Sequence, residues 1–256
     1  MAERRNWSEI EVTEALSLYL RLPFGKFHSG TPQIIRLAGR IGRTPSSVAM
    51  KLSNLAALDK SLPQKGLAKA SAMDRQVWTQ FLEDPSFVLE VYEAEFQQTP
   101  PTSAAGFSEN RQAEWNARQS APDIRPTAHR RGQSFFREMI LSSYQTRCAV
   151  TGISDPRLLT ASHIVGWQEN EKHRLDPENG ICLNALHDRA FDRHMISFDE
   201  NYRMIIADDL SPATQHALCS GARDSLILPE RFLPRQAFLA HHRKQLSERR
   251  KTAPLA

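Results

Sequence analysis

His163, Asn179 and His187 fall close together in the chain, and their types suit them for chemistry. Histidine has an ordinary pKa of roughly 6.5, so much of it is neutral near pH 7 and ready to take a proton. An amide can fix the orientation of an imidazole, and a second imidazole can hold a metal ion. Hydrolysis of a phosphodiester asks for these functions together. It needs a base for water, a divalent cation for the charge on the phosphate and departing oxygen, and a group that aims the base. Two histidines and an asparagine are residue types that such a reaction could use.

The surrounding sequence indicates the elements that must position them. In ASHIVGW, His163 sits among Ala161, Ile164 and Val165, the pattern of a short strand ending at Gly166. Gln168 to Glu178 is polar and turn-rich and predicts a connecting loop. Asn179-Gly180, which alone is most often just a turn, restarts the chain. Ile181 to His194 then carries Leu183, Leu186, Ala190 and Phe191 at a helical recurrence. On such a helix His187 and Phe191 share a face, as do Asp188 and Asp192. Strand, loop and helix would thus meet around one ion.

A lone histidine in a half-apolar strand is usually a core residue, so the weight falls on the combination. With RCAVTG, SHIV and NGICLNALHDRAFDRHMISFD in that order, the chain resembles the HNH endonucleases, specifically their restriction-type branch, from Phe135 to Met204. The resemblance implies a ββα-metal finger in which His163 is the general base, Asn179 orients it and His187 binds the metal. The chain departs from the family at Ser162, where many members carry Asp, Glu or His as a second ligand. Thr160, on the same strand face, and Asp192, on the helix, are the candidates for that role. Few soft ligands favour Mg²⁺ or Mn²⁺, while Zn²⁺ at a histidine site stays open. Arg189 and Arg193 stand on the metal-binding helix where they could grip phosphate; a purely surface role is an equal reading. The alternative class is a DNA-binding regulator whose HNH fold has lost activity, for which the missing acid leaves room.

Cys148, Cys182 and Cys219 are isolated, with no CxxC pair, so a four-cysteine zinc ribbon cannot be built, and an odd count argues against a disulfide framework. Cys148 and Cys182 are expected to pack as small buried hydrophobes. The 256 residues allow two modest domains, and 40% hydrophobic with 24% charged residues is ordinary for a globular protein. No run of 18 apolar residues exists to span a membrane, and MAERRNWSEIEV lacks the apolar core of a signal peptide. The expected location is the cytoplasm.

The net charge of +4 is mild, but its distribution is uneven. Between Glu14 and Asp59 there is no acidic residue, whereas Arg21, Lys26, Arg36, Arg40, Arg43 and Lys51 lie there. That predicts a phosphate-seeking surface. The same stretch reads as helix, turn, helix. Ile34, Ile35, Leu37, Ala38 and Ile41 form one repeat, Gly42-Arg43 breaks it, and Thr44 with Pro45 opens a second helix. Val48, Met50, Leu52, Leu55 and Ala56 would supply the second helix's apolar face. With an upstream helix from Trp7 to Leu22, the unit resembles helix-turn-helix DNA-binding modules, with Ser46, Ser47, Lys51 and Asn54 projecting toward a groove. Small trihelical units bind proteins as readily as DNA.

Residues 97–130 are rich in Pro, Ser, Ala, Gln and Asn and read as a linker, within which Trp115 could anchor a short helix. Arg130, Arg131 and Arg137 then begin the second domain with positive charge. ISFDENYRMIIADD alternates as a hairpin with Glu200-Asn201 at its turn. His241 and His242, in a closing helix, read as part of a solvated basic tail. The expectation is an α+β protein: a helical DNA-binding-like domain over 1–96, a linker over 97–130 and an HNH nuclease domain over 131–256. DNA is the expected partner, and because one finger cuts one strand, a homodimer is one way to break both.

Overall fold

The computed structural model describes residues 5–62, 69–98 and 126–252. Most of the expected linker, with Trp115, lies outside the described residues. The chain divides into two compact units, with the boundary inside one helix, between Phe135 and Phe136.

The first unit is helical. Ser8 closes a capping box with Glu11 and opens α1 (Glu9–Arg21). Then follow α2 (Pro32–Ile41), α3 (Pro45–Ala56), α4 (Ala72–Glu83) and α5 (Phe87–Gln98). Gly42 ends α2 at φ 65°, a left-handed conformation that glycine adopts without steric cost, and Thr44 caps α3 through the Ser47 amide. Leu16, Tyr19, Leu20, Ile34, Leu52 and Phe81 form the core. Met50 and Ile35, expected on apolar faces, are exposed, because the inward stripe of α3 runs through Val48, Leu52 and Leu55 and that of α2 through Ile34, Leu37 and Ala38.

The basic stretch is corrected by the structure. Lys51 shares that inward stripe and is only 4% exposed; its ammonium meets the Asp74 carboxylate at 2.5 Å and lies 4.7 Å from the Trp7 ring centre. Arg43 pairs with Glu11 at 2.8 Å, donates to the carbonyls of Arg5 and Asn6, and stacks 4.1 Å over Trp7. The Arg43 guanidinium holds the Glu11 carboxyl below its ordinary range against the opposing effect of burial. Arg40 faces Glu14 at 3.4 Å and Glu95 at 3.8 Å. The acids missing from the stretch arrive from helices on either side, so Arg40, Arg43 and Lys51 tie the bundle together rather than presenting their charge to phosphate. Arg36 is exposed and Ser47 half-buried.

The helix α6 (Pro126–Ser143) begins inside the expected linker, so residues 126–130 are helical rather than loop. From Phe136 on, it belongs to the second unit. There β1 (Leu159–His163) pairs antiparallel with β2 (Gly180–Asn184), setting His163 opposite Gly180 and Ser162 opposite Ile181. The finger helix α7 (Ala185–Asp192) follows and packs on both strands. A hairpin of β3 (Ile196–Phe198) and β4 (Met204–Ile206), the short α8 (Pro212–Cys219) and the closing α9 (Gln236–Thr252) complete it. Helix was expected from Ile181, yet Gly180–Asn184 is a strand buried along its whole length. A continuous apolar run such as Ile181-Cys182-Leu183 fits a strand covered on both faces as well as a helix.

His242 also departs from expectation. It is 2% exposed, stacks 3.8 Å from Phe191, and makes contacts of 3.0 Å with Ser197 Oγ and the Phe191 carbonyl. Its neighbour His241 faces Glu169 at 3.0 Å on the surface. The histidine that α9 turns inward clamps the hairpin to the finger helix.

Candidate active site

His163 is the last residue of β1, and three neighbours fix its ring. Phe136 stacks on it with centres 3.7 Å apart and 14° between planes, and Trp167 meets it edge-on at 5.3 Å. Its Nε2 lies 3.0 Å from the Arg174 carbonyl oxygen. A carbonyl only accepts, so Nε2 carries the proton of the neutral ring and Nδ1 carries the lone pair. Burial pushes the imidazole down to about 4, with the carbonyl contact opposing. The ring is therefore neutral throughout the physiological range.

The Phe136 stack depends on a glycine. A Cβ on Gly180, directly across from His163, would stand 2.4 Å from Ile140 Cδ1 and 2.7 Å from Phe136 Cζ. Gly180 has an extended backbone, φ −134°, so its role is to let α6 approach the hairpin rather than to make a turn.

Asn179 is wholly buried and bonds to the ends of the loop that carries the Arg174 carbonyl. Its Oδ1 accepts from the Val165 amide at 2.8 Å, while Nδ2 donates to the Val165 carbonyl at 3.1 Å and the His173 carbonyl at 2.9 Å. The Ile164 amide adds a bond to the Asn179 carbonyl at 3.0 Å. Arg174 Nε donates to the Trp167 carbonyl at 2.7 Å within the same loop. Asn179 is thus linked to His163 through a chain of backbone groups, not through a contact with the imidazole.

His187 does not present a nitrogen to the site. It is 1% exposed, with Nδ1 3.0 Å from Asn184 Oδ1 and Nε2 3.0 Å from the Leu218 carbonyl. Asn184 is the N-cap of α7, and its Oδ1 also accepts from the His187 amide. Asn184 is itself braced by the RCAVTG turn, its amide donating to Cys148 Sγ and its Nδ2 to Thr151 Oγ1. Cys148 and Cys182 are both fully buried, and burial pushes the Cys182 thiol up to about 12.

The expected second ligands are apart from one another. Asp192, the last residue of α7, has a side chain 68% exposed and faces Arg189 at 3.7 Å. Thr160 is half-buried and shares a strand face with Ser162. Missing from the sequence reading is Asp188, whose Oδ1 accepts at 2.5 Å from the Oγ of Ser162, the residue before His163. The periodicity had paired Asp188 with Asp192; only the packing of α7 on β1 distinguishes them.

Arg189 is exposed on α7, and Arg193, expected on the same helix, is exposed at its C-cap just past the last turn. Arg137 instead donates to the carbonyls of Leu159, at 2.7 Å, and Pro156, at 3.1 Å, and so holds the start of β1. Arg131 faces Glu93 at 3.7 Å in the first unit.

Among the described residues no three His, Cys, Asp or Glu side chains converge on one point. A closed tetrahedral Zn²⁺ site does not fit that donor set. A hard cation is compatible with it, because Mg²⁺ is commonly held by one or two carboxylates and keeps several waters, and the β1–α7 contact supplies one carboxylate beside the Ser162 hydroxyl. No helix among the described residues is long and apolar enough to cross a membrane.

No curated protein matches the chain. Residues 148–199, which carry β1, the Asn179 loop, β2, α7 and β3 around His163, match the sequence model of a family described as HNH endonuclease.

Proposed function

We propose that this chain is a metal-dependent endonuclease that hydrolyses phosphodiester bonds in DNA. The observation that carries the reading is His163: a desolvated, neutral imidazole, proton-bearing at Nε2 and basic at Nδ1, held rigidly on three sides within a segment that matches HNH endonucleases. His163 takes the proton of the attacking water at Nδ1. The Arg174 carbonyl keeps the tautomer and stabilises the imidazolium as it forms. Asn179 holds that carbonyl in place by closing the loop on itself. A divalent cation, Mg²⁺ or Mn²⁺, would neutralise charge on the phosphate and departing oxygen, bound on the side of the finger where α7 packs on β1. Arg189, exposed on that helix, and Arg193, exposed at its C-cap, would meet the phosphate backbone.

The helical unit is proposed as an accessory contact to DNA, now through the exposed Arg36 and the half-buried Ser47 rather than its internal cations. A role in restriction of, or defence against, foreign DNA is the biological reading that the resemblance of RCAVTG, SHIV and NGICLNALHDRAFDRHMISFD suggests. Two copies would cut both strands.

The test is conversion of supercoiled plasmid to open circle by the purified full-length chain. Nicking that requires Mg²⁺ or Mn²⁺ and stops on chelation is expected. DNA binding without nicking, in any divalent cation, would instead favour a regulator on an inactive HNH fold.

A further inference from the structure

We propose that Arg235, at the start of α9, is a positioning residue for the base, clamping the loop that offers the Arg174 carbonyl to His163. The proposal rests on the nuclease reading above and adds to it a residue outside the segment that matches the HNH family. Arg235 stands immediately before α9, and its carbonyl accepts from the Phe238 and Leu239 amides at 3.0 and 3.1 Å, so the helix sets its backbone. Its side chain reaches back to the loop. Nη2 lies 3.1 Å from Asp176 Oδ2 and 2.6 Å from Glu178 Oε2, and Nε donates to that same Glu178 oxygen at 2.7 Å. The Arg235 amide adds a bond to the Glu178 carbonyl at 3.0 Å.

These partners flank the two residues on which the His163 ring depends. Asp176 lies between Arg174 and Asn179; its Oδ1 accepts from the Glu178 amide at 2.9 Å, and its carbonyl accepts from the Asn179 amide at 3.0 Å. Asp176 therefore shapes the turn from which Asn179 reaches the His173 carbonyl. The Asp176 carboxyl is buried, which pushes its pKa up, and the Arg235 guanidinium opposes that. A buried carboxylate stripped of its cation is costly, so loss of Arg235 favours a turn that opens to water. A second contact acts on the other side of Arg174: Phe238 takes the Arg235 guanidinium over its ring at 4.6 Å and meets the His173 ring at 4.8 Å. Further along α9, His242 stacks on Phe191 and Arg243 Nη1 donates to the Phe198 carbonyl at 2.9 Å. The loop that holds the base is thereby fixed to the finger through α9 and does not rely on its own bonds alone.

The experiment joins plasmid nicking and plasmid binding to long-range proton–nitrogen NMR of the full-length chain labelled with nitrogen-15 histidine, the His163 signals being those lost in His163→Ala. In the wild type they should show the proton on Nε2. Arg235→Ala, with its near-ultraviolet circular dichroism unchanged, should move the two ring nitrogens toward a mixture of tautomers while plasmid affinity holds. Its single-turnover nicking should slow by about 100-fold, the cost of misplacing a reacting group by about 1 Å. Arg235→Lys, which keeps the charge but loses the fork that spans two carboxylates, should recover part of both. An unshifted tautomer in the folded alanine variant would overturn the assignment, and weaker plasmid binding alongside it would make Arg235 a phosphate contact instead. If the alanine variant does not fold, the lysine variant decides, and wild-type tautomer and rate there would overturn the clamp. A wild-type chain that shows the expected tautomer but nicks no DNA would overturn the nuclease reading and leave the clamp on the His163 loop standing.

Discussion

Gly180→Ala tests whether the base is held by close approach of α6 to the hairpin. The added methyl would sit 2.4 Å from Ile140 Cδ1, 2.6 Å from Ile140 Cγ1 and 2.7 Å from Phe136 Cζ. Carbon atoms pack comfortably at about 3.5–4.0 Å, so α6 must withdraw by about 1 Å or Ile140 and Phe136 must leave their rotamers. Overpacking of this kind costs about 1–3 kcal/mol. With a urea slope of about 1–3 kcal/mol per molar, the unfolding midpoint should fall by roughly 1 M. Because Phe136 stacks directly on His163, activity should suffer more than stability. A misplacement of about 1 Å at a reacting group costs about 100-fold. Urea unfolding and single-turnover nicking read the two effects separately. Trimming Ile140 to Val in the same chain should recover part of both losses, since contacting sites are not additive. Gly180→Ala with an unchanged midpoint and an unchanged nicking rate would refute the packing argument.

Three further outcomes follow from the geometry. Lys51→Ala strands the buried Asp74 carboxylate, which also closes the capping box of α4. It should destabilise the helical unit by about 3–5 kcal/mol, read by urea unfolding, while DNA affinity of the folded protein stays unchanged. Acid should destabilise the second unit: burial pushes His163 down to about 4 and His242 to about 3, from an ordinary 6.5, so the unfolded chain binds protons first as pH falls. Their contribution is complete above about pH 6.5 and declines toward pH 4 by about 1.4 kcal/mol per pH unit for each histidine, which a thermal-melt series will show. Asn179→Ala removes the bonds to Val165 and His173. It should slow single-turnover nicking by about 100-fold through displacement of the Arg174 carbonyl, with Mn²⁺ affinity retained.

How much of this was legible depends on where each residue's partners lie. The strand around His163 was readable because its apolar neighbours are local, and Thr44 and Pro45 announced α3 through capping chemistry confined to one turn. The basic stretch misled because its counter-charges sit far away in sequence: Glu11, Glu14, Asp74 and Glu95 come from three other helices. Gly180 looked like half of a turn, since nothing local reveals that α6 presses against it. Asp188 and Asp192 were equivalent on a helical wheel, and only the strand laid across α7 separates them. His242 was hidden for the same reason, its Phe191 and Ser197 partners lying some fifty residues upstream.

The central claim is that His163 is the general base of a phosphodiester hydrolase. Single-turnover nicking of supercoiled plasmid by His163→Ala, compared with wild type in the same Mg²⁺ or Mn²⁺ buffer, tests it most directly. The expected result is a fall of about 10²–10⁴-fold that added metal does not restore, with DNA binding retained. Nicking at the wild-type rate by the folded variant would contradict the account.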